Sequence, residues 1–145
     1  MVLFGGRNKS MKKILVGFDG SEGSEQALNR AMMLIAEYGE LILLAVVPSP
    51  SDKMFVDEAI YKNLKKKAEH LISDVIKDIG EHEFTITGMV EEGDAAAKII
   101  DISNKLDVDL IVLGSRGVSE LGRYLLGSVA NKVVQYAYKP VMVVR

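Results

Sequence analysis

From Ile14 onward the chain alternates short, almost unbroken apolar runs with longer stretches whose apolar residues recur every three or four positions. Four runs, "ILVGF" from Ile14, "LILLAVV" from Leu41, "LIVLG" from Leu110 and "VMVV" from Val141, are apolar at nearly every position. Successive side chains point to opposite faces of a strand, so these runs predict strands covered on both faces, as in the middle of a parallel sheet. A fifth run, "FTITGMV" from Phe84, sets Phe84 and Ile86 against Thr85 and Thr87 and predicts a half-exposed strand at an edge.

The stretches between the runs predict helices. Residues 21–38 carry Ala27, Leu28, Ala31, Leu34 and Ile35 at helical spacing, with Ser21 as the N-cap and Gly39 as the residue just past the end. A longer stripe runs from Ala59 through Leu64, Ala68, Ile72 and Val75 to Ile79 and stops at Gly80. Residues 95–106 form a third helix and residues 129–137 a fourth, capped by Ser128. The order βαβαβαβαβ, without internal repeat or linker, predicts an α/β fold with one domain over residues 11–145. The first ten residues, "MVLFGGRNKS", carry no such pattern and are expected to be a disordered or weakly attached extension, with Met11 a candidate natural start.

Composition narrows the function. A chain of 145 residues with 48% hydrophobic content can pack one core. No run reaches the roughly 18 apolar residues of a membrane span, and the N-terminus lacks a secretory apolar core, so a cytoplasmic protein without a membrane partner is expected. The absence of cysteine excludes disulfides, thiolate nucleophiles and cysteine-ligated metals, and the two histidines make a histidine-rich metal site a poor prospect. The net charge of −2 hides an asymmetry: residues 114–145 hold five basic residues and one acid, +4, leaving −6 for the rest. A locally positive end on an acidic body suits a small anionic ligand better than a nucleic acid. The "KKK" at 65–67 lies mostly off its helix's apolar stripe and reads as a solvated face.

In an open parallel sheet the ligand lies beyond the carboxyl ends of the strands. The loop after the first run, "GFDGSEGSE", spaces Gly17, Gly20 and Gly23 wrongly for G-x-G-x-x-G, and no G-x-x-x-x-G-K-[ST] occurs. Its Asp19 suits ribose or base donors or a magnesium ion; it equally suits a plain turn next to glycine. The fourth run delivers Gly114, Ser115, Arg116 and Gly117, and ten residues beyond Gly117 the pair Gly127 and Ser128 opens the last helix. Glycines let backbone N–H groups approach phosphate oxygens, and a helix N-terminus adds free donors and positive dipole. Ser128 either caps that helix or donates to a phosphate; Arg116 and Arg123 either add charge or are solvated.

The "GSRG", nine residues and "GS" resemble the G-x2-G-x9-G-[ST] pattern of the universal stress protein family, in its ATP-binding branch. "KKILVGFDGSEGSEQAL", "DLIVLGSRG" and "KPVMVVR" are similar to that family's opening strand and helix and its last two strands. The resemblance implies a Rossmann-like open five-stranded parallel sheet in order 3-2-1-4-5, helices on both faces, binding ATP, or ADP or AMP, with or without Mg2+. Asp19 would contact ribose, and Val46 and Leu113 would lie against adenine. Gly114, Gly117, Gly127, Ser128 and the backbone of Val129 would hold the phosphates. The resemblance also implies a homodimer through the last strand, Val141 to Val144, whose apolar edge otherwise needs cover. The family's frequent proline after the third strand is replaced here by Ala95 or Ala96, and the variable segment holds Glu120 and Arg123.

The implied role is a nucleotide-dependent dimeric switch or adaptor in stress response, acting on an unidentified protein partner. Two alternatives stay open: a slow ATPase or an enzyme autophosphorylating on Ser115 or Ser128, with Asp19 as magnesium ligand, and a nucleotide-free dimeric interaction module. No catalytic residue is nominated, because His70 and His82 both lie outside the signature loops.

Overall fold

Five parallel strands in the order β3-β2-β1-β4-β5 form the sheet in this computed structural model, which describes residues 11–49, 58–116 and 126–145. The expectations for residues 1–10 and for Gly117, Glu120 and Arg123 lie outside the described residues. The elements are β1 (Met11–Gly17), α1 (Glu22–Leu34), β2 (Ile35–Val47), α2 (Glu58–Ile79), β3 (Thr85–Glu92), α3 (Ala95–Lys105), β4 (Leu110–Gly114), α4 (Ser128–Tyr136) and β5 (Val141–Val144). The alternating run lands on edge strand β3, and the runs at Ile14, Leu41 and Leu110 land on β1, β2 and β4 inside the sheet, as their patterns predict; the run at Val141, read as a strand covered on both faces, is instead the other edge, β5, with Val141, Met142 and Val143 only half-buried.

Period-two alternation sorts the strand side chains into two cores. Ile14, Val16, Leu41, Leu43 and Val112 face α1 and α2, packing on Ala27, Ala31 and Ile72. Leu15, Ile42, Leu44, Ile111 and Leu113 face α3 and α4, packing on Ile99, Ile102 and Val133. Helices on both faces are therefore required, since either face left bare would expose a row of Leu and Ile.

One element departs from its sequence pattern. The helical spacing carries α1 to residue 38, but the helix stops at Leu34 and Ile35 is already extended (φ −67°, ψ 140°). Ile35 pairs with Met11 of β1, and the register then jumps to Lys13 with Glu40, so residues 36–39 bulge from the ladder. The Tyr38 amide donates to the Glu83 carbonyl at 3.1 Å, and Tyr38 takes a left-handed φ of 64°. Gly39 is thus not a left-handed helix end: a Cβ there would meet the Ala36 and Lys12 carbonyl oxygens at 2.9 Å each. Strand pairing outcompetes the last helical turn: Ile35 gains a ladder partner in Met11 by leaving it, and the residues after it bridge to the main ladder at Glu40.

The amino end of the sheet is pinned by acids. One Asp109 carboxylate oxygen accepts from the amides of both Lys12 (2.9 Å) and Lys13 (3.0 Å), fixing β1 against β4. Asp107, at a φ of 50°, pairs with the Lys139 ammonium just before β5. At the other end α1 lies very close to β4. A Cβ on Gly114 would sit 2.6 Å from the Gly23 carbonyl carbon, and one on Gly23 would sit 2.6 Å from the Arg116 carbonyl oxygen. Neither position has room for a side chain.

Two outcomes follow from these contacts. Gly114→Ala should destabilise by about 1–3 kcal/mol through backbone overpacking, lowering the thermal midpoint by roughly 3–10 °C, and an unchanged midpoint in a melting experiment would refute the contact. The Lys139 ammonium holds the Asp107 carboxyl below its usual range. A depressed carboxyl stabilises the fold above the unfolded-state value, about 3.9, and that stability is lost as pH falls through the folded value. The midpoint gap between the natural chain and Lys139→Met should therefore be constant above roughly pH 5 and close below about pH 4.

Candidate functional site

At the carboxyl ends of β1, β2 and β4 the sheet opens into a cavity of about 420 Å3. The chain leaves β1 toward β2 on one side, while β4 adds on the other, and the two crossovers diverge to opposite faces. That divergence leaves a crevice at the strand ends.

Each wall comes from a different element. The floor is apolar: Leu44 and Val46 from β2, Ile99 from α3 and Leu113 from β4. Gly17 lets Leu113 and Ile99 close onto its main chain, since a Cβ there would lie 2.7 Å from Leu113 Cδ2 and 3.3 Å from Ile99 Cδ1. Ala95 begins α3 at the cavity wall, where its methyl leaves room.

The Asp19 side comes from the turn into α1. Asp19 Oδ1 accepts from the Ser21 amide at 2.9 Å, and the Asp19 amide donates to Ser24 Oγ at 3.3 Å. Ser24 Oγ in turn donates to the Ser21 carbonyl at 2.9 Å. The turn reading of Asp19 is realised, since one of its oxygens shapes its own turn, and the residue also lines the cavity.

The opposite wall is the start of α4. Here the structure corrects the expected cap: Gly127 is the N-cap (φ −64°, ψ 160°), no side chain caps the helix, and Ser128 is its first residue. The Gly127 amide donates to the Ser115 carbonyl at 2.6 Å, which fixes the entry to the helix with Ser128 already inside its first turn. The first intrahelical donor is the Asn131 amide, to the Gly127 carbonyl at 2.9 Å. The amides of Ser128, Val129 and Ala130 precede it, so they have no acceptor within the helix, and all three residues line the cavity. By contrast, α1 is capped by Ser21, which accepts from the Ser24 amide, and α3 by Asp94, which accepts from the Ala97 amide.

The cavity therefore brings together Asp19, Val46, Leu113, Gly114, Gly127, Ser128 and Val129, while Gly117 lies outside the described residues. It also recruits Ser24 and Ile99, which local sequence gave no reason to single out: Ile99 reads as one more apolar position of a helix stripe. A second cavity of about 450 Å3 shares Asp19, Ser21, Ser115 and Arg116 and extends toward Gln26 and Arg145. His70 is exposed on α2, and His82 stacks on Phe84 with ring centroids 5.0 Å apart; neither lines the cavity. Among the described residues no group of three or more His, Cys, Asp or Glu side chains is placed to hold a metal ion, and no helix is long and apolar enough to cross a membrane.

Comparison with known proteins places this geometry in context. The chain is 34% identical to universal stress protein YxiE of Bacillus subtilis over 92% of its own length and 98% of that protein. Its structure is similar to that of protein MJ0577 of Methanocaldococcus jannaschii (TM-score 0.78, 32% identity, 92% and 94% of the two chains). It also shares its fold with a universal stress protein solved in complex with cAMP (TM-score 0.67, 23% identity, 94% and 98%). The sequence model described as Universal stress protein family matches residues 11–145, and the chain belongs to that family.

Proposed function

We propose that the cavity binds ATP, or a shorter adenine nucleotide, and that the protein is a cytoplasmic, dimeric, nucleotide-dependent switch or adaptor for a protein partner. The observation that carries the reading is the uncapped start of α4. Of the three helices that begin at the cavity, α1 and α3 are capped by their own side chains, and α1 adds Glu22 and Glu25 in its first turn. Among the described residues, α4 alone of the three starts with amides that no side chain caps and with no acid in its first turn, which is where an anionic phosphate is best accommodated. The Ser128 hydroxyl, released from capping, is a further donor.

The base side follows from where β1 ends. The last rung between β1 and β2 is the Phe18 amide to the Leu44 carbonyl at 2.8 Å. Main-chain groups alternate between strand edges, so those of Val46 point to the side that β1 has vacated, next to the cavity. An amide and a carbonyl side by side match N1 and the N6 amine of adenine; guanine, with O6 and N1–H, presents the reverse pattern and would leave both unpaired. Leu113 and Ile99 would pack against the ring, and Asp19 would accept from ribose. Magnesium would arrive on the polyphosphate, held by its oxygens and at most one carboxylate. The cAMP carried by a protein of the same fold supports an adenine ligand. Dimerisation would run along β5, whose Val141, Met142 and Val143 are only half-buried.

Mass spectrometry of nucleotide released from the denatured protein, followed by calorimetric titration with ATP, ADP, AMP and GTP, with and without magnesium, tests the reading. Saturable ATP binding at least tenfold tighter than GTP is expected; absence of binding to any adenine nucleotide would overturn it. Ser128→Pro removes one amide and the hydroxyl at the helical position where proline is best tolerated, after a residue already extended. It should weaken ATP by about ten- to a hundredfold while leaving adenosine affinity and thermal midpoint unchanged.

A further inference from the structure

A groove of about 640 Å3 lies between α1 and α2, away from the start of α4. Its bed is apolar, formed by Phe18, Leu28, Met32, Val75, Ile79 and Phe84. Its polar lining is Glu25, Asn29, Asp78 and His82, and among the described residues neither lysine nor arginine lines it. At its end Met33 is 75% exposed, a large apolar side chain standing in solvent. The nucleotide reading does not use this groove.

The chain carries a segment of complementary chemistry. Residues 1–10 begin with four consecutive apolar residues, Met1, Val2, Leu3 and Phe4, followed by Gly5 and Gly6 and then the cations Arg7 and Lys9, with no acid. Four adjacent apolar residues have no purpose facing water unless something covers them. The point of attachment is equally telling. Met11 pairs with Ile35, which directly follows the last residue of α1, and Met11 packs against the same buried cluster as Met32, Val75, Ile79 and Phe84. The segment thus joins the fold at the groove's own end. Six residues separate Phe4 from Met11, a reach of up to roughly 20 Å, comparable with the length of α1.

We propose that the α1–α2 groove is the docking site of the chain's own N-terminal segment, with Leu3 and Phe4 on the apolar bed and Arg7 and Lys9 toward Glu25 and Asp78. Tethering raises the effective concentration of the segment to the millimolar range, so a modest contact suffices to keep the groove covered.

Amide hydrogen exchange on the full chain tests this at low protein concentration. Residues 28–33 and 75–79 should exchange about tenfold more slowly in the natural chain than in Leu3→Asp/Phe4→Asp, as for a site covered about ten times as often as it is open. The comparison is made at short labelling times, where amides exchange by local opening, and the locally exchanging amides of α3 and α4 should be unaffected, which separates docking from a change in global stability. Glu25→Lys/Asp78→Lys should lose the same protection, and adding Arg7→Glu/Lys9→Glu should restore it. Equal exchange in the natural and Leu3→Asp/Phe4→Asp chains would overturn the proposal, as would protection that grows with protein concentration, the mark of a second copy's segment.

Discussion

The burial of β1 on all sides is the constraint from which the rest of this fold descends. Ile14, Leu15 and Val16 have no exposed surface at all, and their strand is hydrogen-bonded to β2 on one edge and β4 on the other. Each such side chain contributes about 1.5–3 kcal/mol by burial, available only if helices cover both faces. The connection through α1 takes one face and those through α3 and α4 take the other, and the crevice is what remains where they part. The cavity is therefore a by-product of protecting the central strand.

The glycines around that crevice divide by purpose. Gly114 and Gly23 are small because two stretches of main chain touch there, α1's first turn against the end of β4. That requirement exists with or without a ligand, so the presence of Gly114 in the signature is not by itself a sign of phosphate binding. Gly127 differs: its backbone is extended, its amide is held by Ser115, and it delivers the helix start without a side chain over the free amides.

Most of the architecture was legible because it follows from periodicity. Unbroken apolar runs marked β1, β2 and β4, buried on both faces, and the alternation at Phe84–Thr87 marked one edge; the equally unbroken run at Val141 misled, because it forms the other edge. Illegible were the features decided by pairing between distant segments. Nothing near Ile35 says that Met11 will claim it for a strand, and a helical stripe runs straight through the position. Likewise Ser128 has every local attribute of a cap, and only the bond between Gly127 and Ser115 twelve residues earlier sets the entry that makes Gly127 the N-cap and Ser128 the first helical residue. At the site, the polar and glycine positions could be nominated from chemistry. Val46 could be nominated only by resemblance, because its distinction is a main-chain edge left bare by a neighbouring strand's end.

The main chain of Ser115 joins two regions otherwise remote from each other. Its amide is bonded to the Val144 carbonyl at 2.8 Å and its carbonyl to the Gly127 amide at 2.6 Å. The outermost strand and the first turn of the last helix are thus fastened to opposite sides of one peptide segment, as two beams to a single bracket. Neither can shift without dragging the other or breaking a bond, so the free edge of the sheet and the floor beneath the uncapped amides form one mechanical unit.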